Sequence, residues 1–483
     1  MSTTSSRKSW IYPAAVGIAA ALLLTACGAD APKKDSGTTS GVVAAQDNPA
    51  LFRDIYKELV DIDTSHSTGS TTVAANAMKK RLLDAGFAES DIQIFEPAQR
   101  KGNLVLRFAG SGQRKPLLLM AHLDVVEAKR EDGWQTDPYK LTEQDGFYVA
   151  RGTVDDKAMA AAWVADLIAL KGEGFRPDRD IVLALTADEE AGDTNGAQWL
   201  MANKPDLMTA EYGLNEGGDS ILVDGKPAVQ TVQVAEKTYA IYTVEAKSKG
   251  GHSSIPTPAN AIYSLTAGLN RLSGYRFPAS VSDATRDYFA GLATKRSGQE
   301  ADDLRAAAAG NPSPEVLERL SATPEYNAQL RTTCVATMLK AGEAENALPQ
   351  TAQATVNCRI LPQDDPADIE RRFRAALADP GLTVTPEISA AGGISPVDGD
   401  VMTAVTAVTK DMFPTSAVSS VMSTGATDSS YARAKGIPMY GISGLYMETG
   451  DLERQHGVNE RAPIAWLDRS RDFLYRLIKR LSQ

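Results

Sequence analysis

Apolar residues recur at helical spacing from Ile55 to Ile62 and from Val73 to Ala85, and two uninterrupted apolar runs follow, Leu104 to Phe108 and Leu117 to Met120. The first spacing places apolar side chains on one helix face, and the second suits strands buried on both faces. An Ala-rich helix over Ala158 to Leu170 and a strand over Ile181 to Leu185 continue the alternation to about residue 236. Strands separated by helices predict a mainly parallel α/β sheet, with ligands gathered at the carboxyl ends of its strands.

After Val234 the order changes to a strand (Tyr239 to Ala246), a helix (Ala259 to Leu272), two strands (Thr332 to Leu339 and Ala352 to Leu361), a helix (Pro366 to Ala378) and a strand (Leu382 to Ile388). This βαββαβ order predicts a small sheet with two helices on one face. Residues 273–331 interrupt it with a stretch rich in Ala, Arg, Asp and Pro, expected to be helical. From about Val401 the α/β pattern resumes, with a helix to Phe413, a short strand over Pro438 to Ile442 and a helix from Pro463 to Leu481. The expectation is a first domain over 50–236 and 389–483 into which a second, 237–388, is inserted.

The N-terminus changes the picture of where the protein works. Arg7 and Lys8 precede a short apolar stretch, Ile11 to Leu24, which ends in Leu24-Thr25-Ala26-Cys27. A small-residue cleavage site followed by cysteine resembles a bacterial lipobox, so residues 1–27 read as a lipoprotein signal peptide with Cys27 lipidated. An ordinary secretory signal or an uncleaved anchor is the plainer alternative. The following 28–49, rich in Ser, Gly, Thr and Lys, read as a flexible tether. The expected product is a globular protein held to a membrane by lipid and facing the periplasm or exterior. Cys334 and Cys358 lie in strand-like segments, and both a disulfide and a pair of buried free thiols remain open. Across 483 residues the net charge is −11, and the acidic residues are dispersed. That argues against a nucleic-acid partner, which needs clustered Lys and Arg.

Candidate chemistry sits where the apolar runs end. His122 and Asp124 close the Leu117 run and, two positions apart on a strand, point the same way. An imidazole here can bind metal while a carboxylate orients it, although a lone histidine at a strand end is more often structural. Asp155 and Asp156 precede the Ala-rich helix, where one could simply cap it. Glu189 and Glu190 follow the Ile181 strand, with Gly192 permitting a tight turn; most such pairs are solvated loops. Glu216 follows another short apolar piece, and His456 comes from the C-terminal segment. Nitrogen and oxygen ligands without cysteine suit catalytic zinc, with cobalt or manganese as substitutes.

Taken in order, His122-Leu-Asp, Arg151-Gly-Thr-Val-Asp-Asp-Lys, Asp188-Glu-Glu, Asn215-Glu-Gly-Gly and Gly250-Gly-His-Ser-Ser resemble the co-catalytic di-zinc exopeptidase family of aminoacylases, carnosine-type dipeptidases, glutamate carboxypeptidase and carboxypeptidase S. The long insertion, Asp137-Pro-Tyr and Gly172-Glu-Gly-Phe-Arg-Pro look closest to the carboxypeptidase S-like branch. The resemblance implies a zinc-binding catalytic domain and an inserted lid or dimerisation domain. It implies that Asp155 bridges two zinc ions, that His122 and Glu216 complete one metal, and that Glu190 and His456 complete the other. Glu189 would be the general base, Asp124 would orient His122, and Asp156 would start the helix. The implied reaction is amide hydrolysis by metal-activated water.

Other assignments follow from the same resemblance. His252 would reach the tetrahedral intermediate's oxyanion, commonly across a homodimer interface; a turn residue beside capping serines is the plainer reading. The insertion could block the edge such a dimer uses. Asn346 and Arg359 match positions that contact a substrate carboxylate, for which the Arg fork is suited. Thr424-Gly-Ala-Thr-Asp428-Ser departs from the commoner pattern, which has Gly at Ala426 and Arg at or near Ser430, and His66 matches no ligand position and reads as a surface or rim residue. The leading expectation is a zinc exopeptidase acting on short peptides. An N-acyl amino acid hydrolase shares all the chemistry, and a catalytically silent peptide-binding protein is the alternative from another class.

Overall fold

The computed structural model describes residues 49–192 and 194–483. The signal sequence, Cys27 and all but the last residue of the tether lie outside the described residues. Among those described, no helix is long and apolar enough to cross a membrane.

The apolar runs form the centre of a ten-stranded sheet. Leu117–His122 lies between Ile181–Thr186 and Tyr212–Asn215 and is parallel to both. Met439–Gly441 continues this parallel block beside Tyr212–Asn215. Because side chains alternate across a strand, the runs feed two cores. Leu117, Leu119, Ile181 and Leu183 pack with the helices Pro49–Asp61, Thr71–Asp84, Lys157–Gly172 and Ile464–Leu481. Leu118, Met120, Val182 and Ala184 pack on the other face with Ala197, Leu200 and Ala432. Covering both faces is what a parallel sheet requires and why its strands are apolar throughout. Trp163 Nε1 donates to the Met120 carbonyl at 2.9 Å, tying the Ala-rich helix to the strand that ends in His122.

Among the strands of this sheet with no counterpart in the sequence-based reading are Ser220–Val223, Lys226–Glu236 and Ala417–Ser423. The first two form a hairpin through Asp224 and Gly225, both with positive φ. Asp-Gly is a strong hairpin signal that alternation alone overlooks. Ala417–Ser423 pairs parallel to Lys226–Glu236, and its three serines, Ser419, Ser420 and Ser423, with Ser416 just before them, hide the strand.

The inserted segment forms a second, antiparallel sheet in the order Thr333–Ala341, Thr351–Ile360, Thr238–Lys247, Thr383–Ile388. Its helices Ala261–Ser273 and Pro366–Leu377 supply Leu265, Leu272, Phe373 and Leu377 to a core on one face, as the βαββαβ order predicts. Residues 273–331 do contain helices, Asp283–Ala293, Gly298–Ala308, Pro314–Ser321 and Pro324–Leu330, with a small core of their own around Phe289 and Leu304. This insertion leans on the first sheet: Ser420 Oγ donates to Asp287 at 2.6 Å and Gln329 donates to the Met422 carbonyl at 3.0 Å. The edge strand Thr333–Ala341 is left open, with Val335, Met338 and Leu339 each at least 60% exposed.

Cys334 and Cys358 stand opposite each other in the ladder and form a disulfide across a sequence separation of 24 residues. Closing a loop of that length restricts the unfolded chain by about 3–4 kcal/mol. The double variant Cys334→Ala/Cys358→Ala should therefore unfold at clearly lower urea concentration than the oxidised wild type. Superimposed unfolding curves would contradict this.

Candidate metal centre and cleft

The motifs meet at the carboxyl ends of the parallel strands. His122 ends its strand opposite Thr186 in the neighbouring one. Its Nε2 lies 2.8 Å from Asp155 Oδ1 and 3.6 Å from Glu216 Oε2. His456 Nε2 lies 2.9 Å from Asp155 Oδ2 and 2.9 Å from Glu190 Oε1. Asp155 thus uses one oxygen toward each histidine. Metal bonds of 2.0–2.1 Å in a tetrahedral site put neighbouring ligand atoms roughly 3.3 Å apart, and the four spacings bracket that value. The donor set and its distances fit two metal ions sharing Asp155.

Charge at this point is concentrated. Burial pushes the Asp155 carboxyl up, but contacts from His122 and His456 outweigh it and hold it well below its ordinary value. The His456 imidazole is raised to about 10 by Asp155 and Glu190. For His122 burial opposes protonation, yet Glu216, Asp124 and Asp155 together keep it well above 6.5. Asp156 is the first residue before the helix, but its carboxylate makes no cap. It is instead buried within reach of His122 and Glu216, and its Oδ2 has no hydrogen-bond partner among the described residues.

The turn carrying the glutamates is held from several sides. Asp124 accepts from the Glu189 N–H at 3.1 Å and the Glu190 N–H at 3.0 Å, one per carboxylate oxygen. His122 Nδ1 is 3.0 Å from the Asp124 carbonyl and 3.6 Å from its Oδ1. The backbone oxygen therefore makes the closer contact to the imidazole, and the carboxylate serves chiefly the glutamate turn. Asp188, in the left-handed region with φ 65°, is fully buried and paired with Lys101, with His66 Nδ1 at 3.2 Å. His66 is at the rim as expected, yet it touches this aspartate. Burial raises the Asp188 carboxyl, and Lys101, the Thr194 N–H and His66 more than offset this. Burial, with Glu216 next, raises Glu189 well above the ordinary carboxylate range.

Two further anchors hold the site. Glu460 pairs with Arg151 at 2.6 Å and accepts from the Val154 N–H at 2.8 Å, while Arg151 donates to the His456 carbonyl at 2.9 Å. This ties the Asp155 loop to the His456 loop. Gly217 and Gly218 both have positive φ, and a Cβ on Gly218 would lie 2.6 Å from the Gly441 carbonyl, so the Asn215-Glu-Gly-Gly turn needs glycine to bring Glu216 inward.

A cleft of about 770 Å³ opens beside the centre, lined by Glu189, Glu190, His456, Tyr431 and, from the second sheet, Tyr239 and Arg359. The Arg359 guanidinium lies 4.6 Å over the Tyr239 ring. His252 and Asn346 do not line this cleft. They lie on an exposed ribbon, where His252 pairs with Ala347 and the Ser253 N–H donates to the Asn346 carbonyl. Ser254 Oγ contacts His252 Nδ1 at 2.7 Å, so Nε2 is the ring nitrogen left for another partner.

Histidines and carboxylates at these spacings, set beside a buried glutamate at strand ends, are the chemistry of a metal-dependent hydrolase. Comparison with known proteins agrees. Residues 118–480 match Peptidase family M20/M25/M40, and the chain belongs to that family of metallopeptidases. It is 29% identical over 384 residues to the human N-fatty-acyl-amino acid synthase/hydrolase PM20D1, covering 76% of this chain and 74% of that protein. It is 28% identical over 378 residues to the probable carboxypeptidase S-like 2 of Dictyostelium discoideum, covering 76% and 71%. The M20 family metallo-carboxypeptidase Sso-CP2 from Sulfolobus solfataricus shares the fold, with a TM-score of 0.66 at 17% identity over 89% of this chain and 98% of that one.

Removing Lys101 would leave Asp188 buried without its cation, a change that costs about 3–5 kcal/mol. Lys101→Met should accordingly be among the most destabilising single substitutions outside the cores. A loss below about 1 kcal/mol in urea unfolding would mean that the pair is not what holds the turn.

Proposed function

We propose that the protein is a di-zinc exopeptidase that hydrolyses terminal amide bonds of short peptides bearing a free carboxylate. The observation that carries this reading is the sharing of Asp155 between the His122/Glu216 and His456/Glu190 pairs, with Glu189 beside them. N-acyl amino acids are the second substrate class. The similarity to PM20D1 favours it, as do Tyr239, Ile388, Ala390 and Tyr431 along the cleft.

His122, Asp155, Glu190, Glu216 and His456 would hold the metals; when bound, these lower the pKa of water and polarise the scissile carbonyl. Cobalt or manganese could replace zinc with this donor set. Glu189 takes the water's proton and returns it to the leaving amine; its burial raises its proton affinity for that task. Asp124 fixes the glutamate turn through two N–H groups and supports His122 through its carbonyl. Arg359, which lines the cleft, would donate to the substrate carboxylate with its fork.

His252 and Asn346 enter this scheme through a second copy. The open edge strand with exposed Val335, Met338 and Leu339 belongs to the sheet against which the helix bearing exposed Tyr263 packs, and the helical insertion contacts the other sheet. A homodimer along that edge would bury this apolar surface and offer His252 of one copy to the cleft of the other. We also take the protein to be anchored through a lipid on Cys27 outside the cytoplasm. The disulfide supports an oxidising compartment.

Glu189→Gln should lower turnover by roughly 10²–10⁴-fold while metal content stays at the wild-type level. The assay is a panel of dipeptides, blocked peptides and N-acyl amino acids with zinc or cobalt. Full activity of the variant would remove Glu189 from the mechanism. Dissociating and reassembling a mixture of Glu189→Gln and His252→Ala chains tests the second copy. If His252 acts across the interface, mixed dimers regain one complete site and activity rises above either parent; no gain would place its action within one chain. Separately, Cys27→Ser should move the protein from the membrane to the soluble fraction, and continued membrane attachment would refute lipidation at this residue.

A further inference from the structure

Asp428 lies in the Thr424-Gly-Ala-Thr-Asp428-Ser segment, far along the chain from the glutamate turn, and is 2% exposed. Its two carboxylate oxygens have different partners. Oδ2 accepts from Thr186 Oγ1 at 2.7 Å, and Oδ1 accepts from Asn195 Nδ2 at 2.6 Å. Thr186 is the last residue of the strand before the glutamates. Asn195 is the cap of the helix after them, its own Oδ1 accepting from the Gln198 N–H at 2.8 Å. Both partners are buried. One carboxylate therefore pins the entrance and the exit of the segment that contains Asp188, Glu189 and Glu190, and it lines the same cleft as both glutamates.

The clamp is itself fixed. The residue before it, Thr427, donates through its N–H and its hydroxyl, each at 2.8 Å, to Glu236, which is buried against Arg433 at 3.0 Å. Glu236 is the last residue of the first sheet before the chain crosses into the second. Asp428 is thus seated on the point where the two sheets join. Asp124 holds the middle of the turn by its N–H groups and Asp188 holds it through Lys101. The two ends are also closed directly, the Ala187 carbonyl accepting from the Gly196 N–H at 2.7 Å and Asp188 Oδ2 from the Thr194 N–H at 2.7 Å; the Asp428 bridge adds the side-chain link that ties the strand end and the helix cap to the cleft wall.

We propose that Asp428 is a positioning residue that sets the placement of Glu189 by bridging Thr186 and Asn195. The proposal rests on the hydrolase reading given above. A general base must sit within hydrogen-bond reach of its proton, and a misplacement of about 1 Å can cost on the order of 10²-fold in rate. Asp428 makes no proton transfer in this account. Its effect falls first on turnover: of the residues that would hold metal only Glu190 shares the turn, and it is also held by Asp124 through its N–H and by its contact with His456.

The bridge can be reversed without changing net charge. In Asp428→Asn the amide cannot accept from both partners as the carboxylate does: with its NH₂ toward Asn195 two donors meet, and with its NH₂ toward Thr186 the hydroxyl is left only the Ala121 carbonyl at 3.3 Å; in Asn195→Asp two carboxylates face each other. In the double variant the amide donates to the new aspartate, still accepts from Thr186 Oγ1, and the aspartate still caps the helix. With a substrate that the wild type hydrolyses, each single variant should lose about 10–100-fold in kcat, keep KM within about threefold and retain full metal content. The double variant should recover to within about fivefold of the wild type, the coupling expected of residues in direct contact. A kcat for Asp428→Asn within about twofold of the wild type overturns the proposal. So does a double variant that is unfolded or no faster than Asn195→Asp, which decides the matter even if Asp428→Asn does not fold. A wild type that hydrolyses no amide overturns the hydrolase reading and this proposal together, whereas an active wild type with unaffected variants overturns the proposal alone.

Discussion

Mutual repulsion among buried carboxylates is the constraint around which this structure is arranged. Asp155, Asp156, Glu189, Glu190 and Glu216 converge on one point at the carboxyl edge of the sheet, with Asp428 close by. Like charges in a poorly solvated site oppose ionisation of their neighbours, which is why Asp156 and Glu189 rise well above their ordinary values, burial being the first cause and Glu216 the next. The fold answers with donors rather than with a shell of cations. Asp124, Asp428 and Glu460 each accept hydrogen bonds that fasten a loop, and the cations Lys101 and Arg151 lie behind the loops they hold. The remaining negative potential is what two divalent ions would neutralise. Binding energy at such a centre counts directly toward folding stability.

Much of the site was legible because its residues stand at the ends of apolar runs. His122 and the glutamate pair terminate strands whose burial on both faces leaves a clear signature, and short motifs supply Asp155, Glu216 and His456. The second sheet was legible from element order, and each of its strands lies within two residues of its predicted ends. Asp428, Glu460 and Lys101 were not. Their partners lie 233, 306 and 87 residues away, and a single polar residue carries no local mark of a contact that distant. Asp156 does stand at the helix start, but its carboxylate makes no cap there and lies within reach of His122 and Glu216, a placement its position in the sequence does not reveal.

The two sheets divide the work by chemistry. The first holds acids and histidines at strand ends, where convergent loops can be tied to one another. The second offers a cation, Arg359, beside an aromatic ring and keeps the opposite requirement, a single covered face with one open edge. The disulfide joins the open strand to its neighbour one residue before Arg359. The strand carrying the cation is thereby stiffened from the side that has no further strand to support it.

The helical insertion has a mechanical consequence. In sequence it belongs to the second sheet's segment, yet through Asp287 and Gln329 it rests on Ala417–Ser423 of the first. It is therefore a strut spanning the joint. A wide swing of one sheet against the other would have to break those hydrogen bonds or carry the strut across the serine-bearing strand, so the insertion ties the motion of the two sheets together.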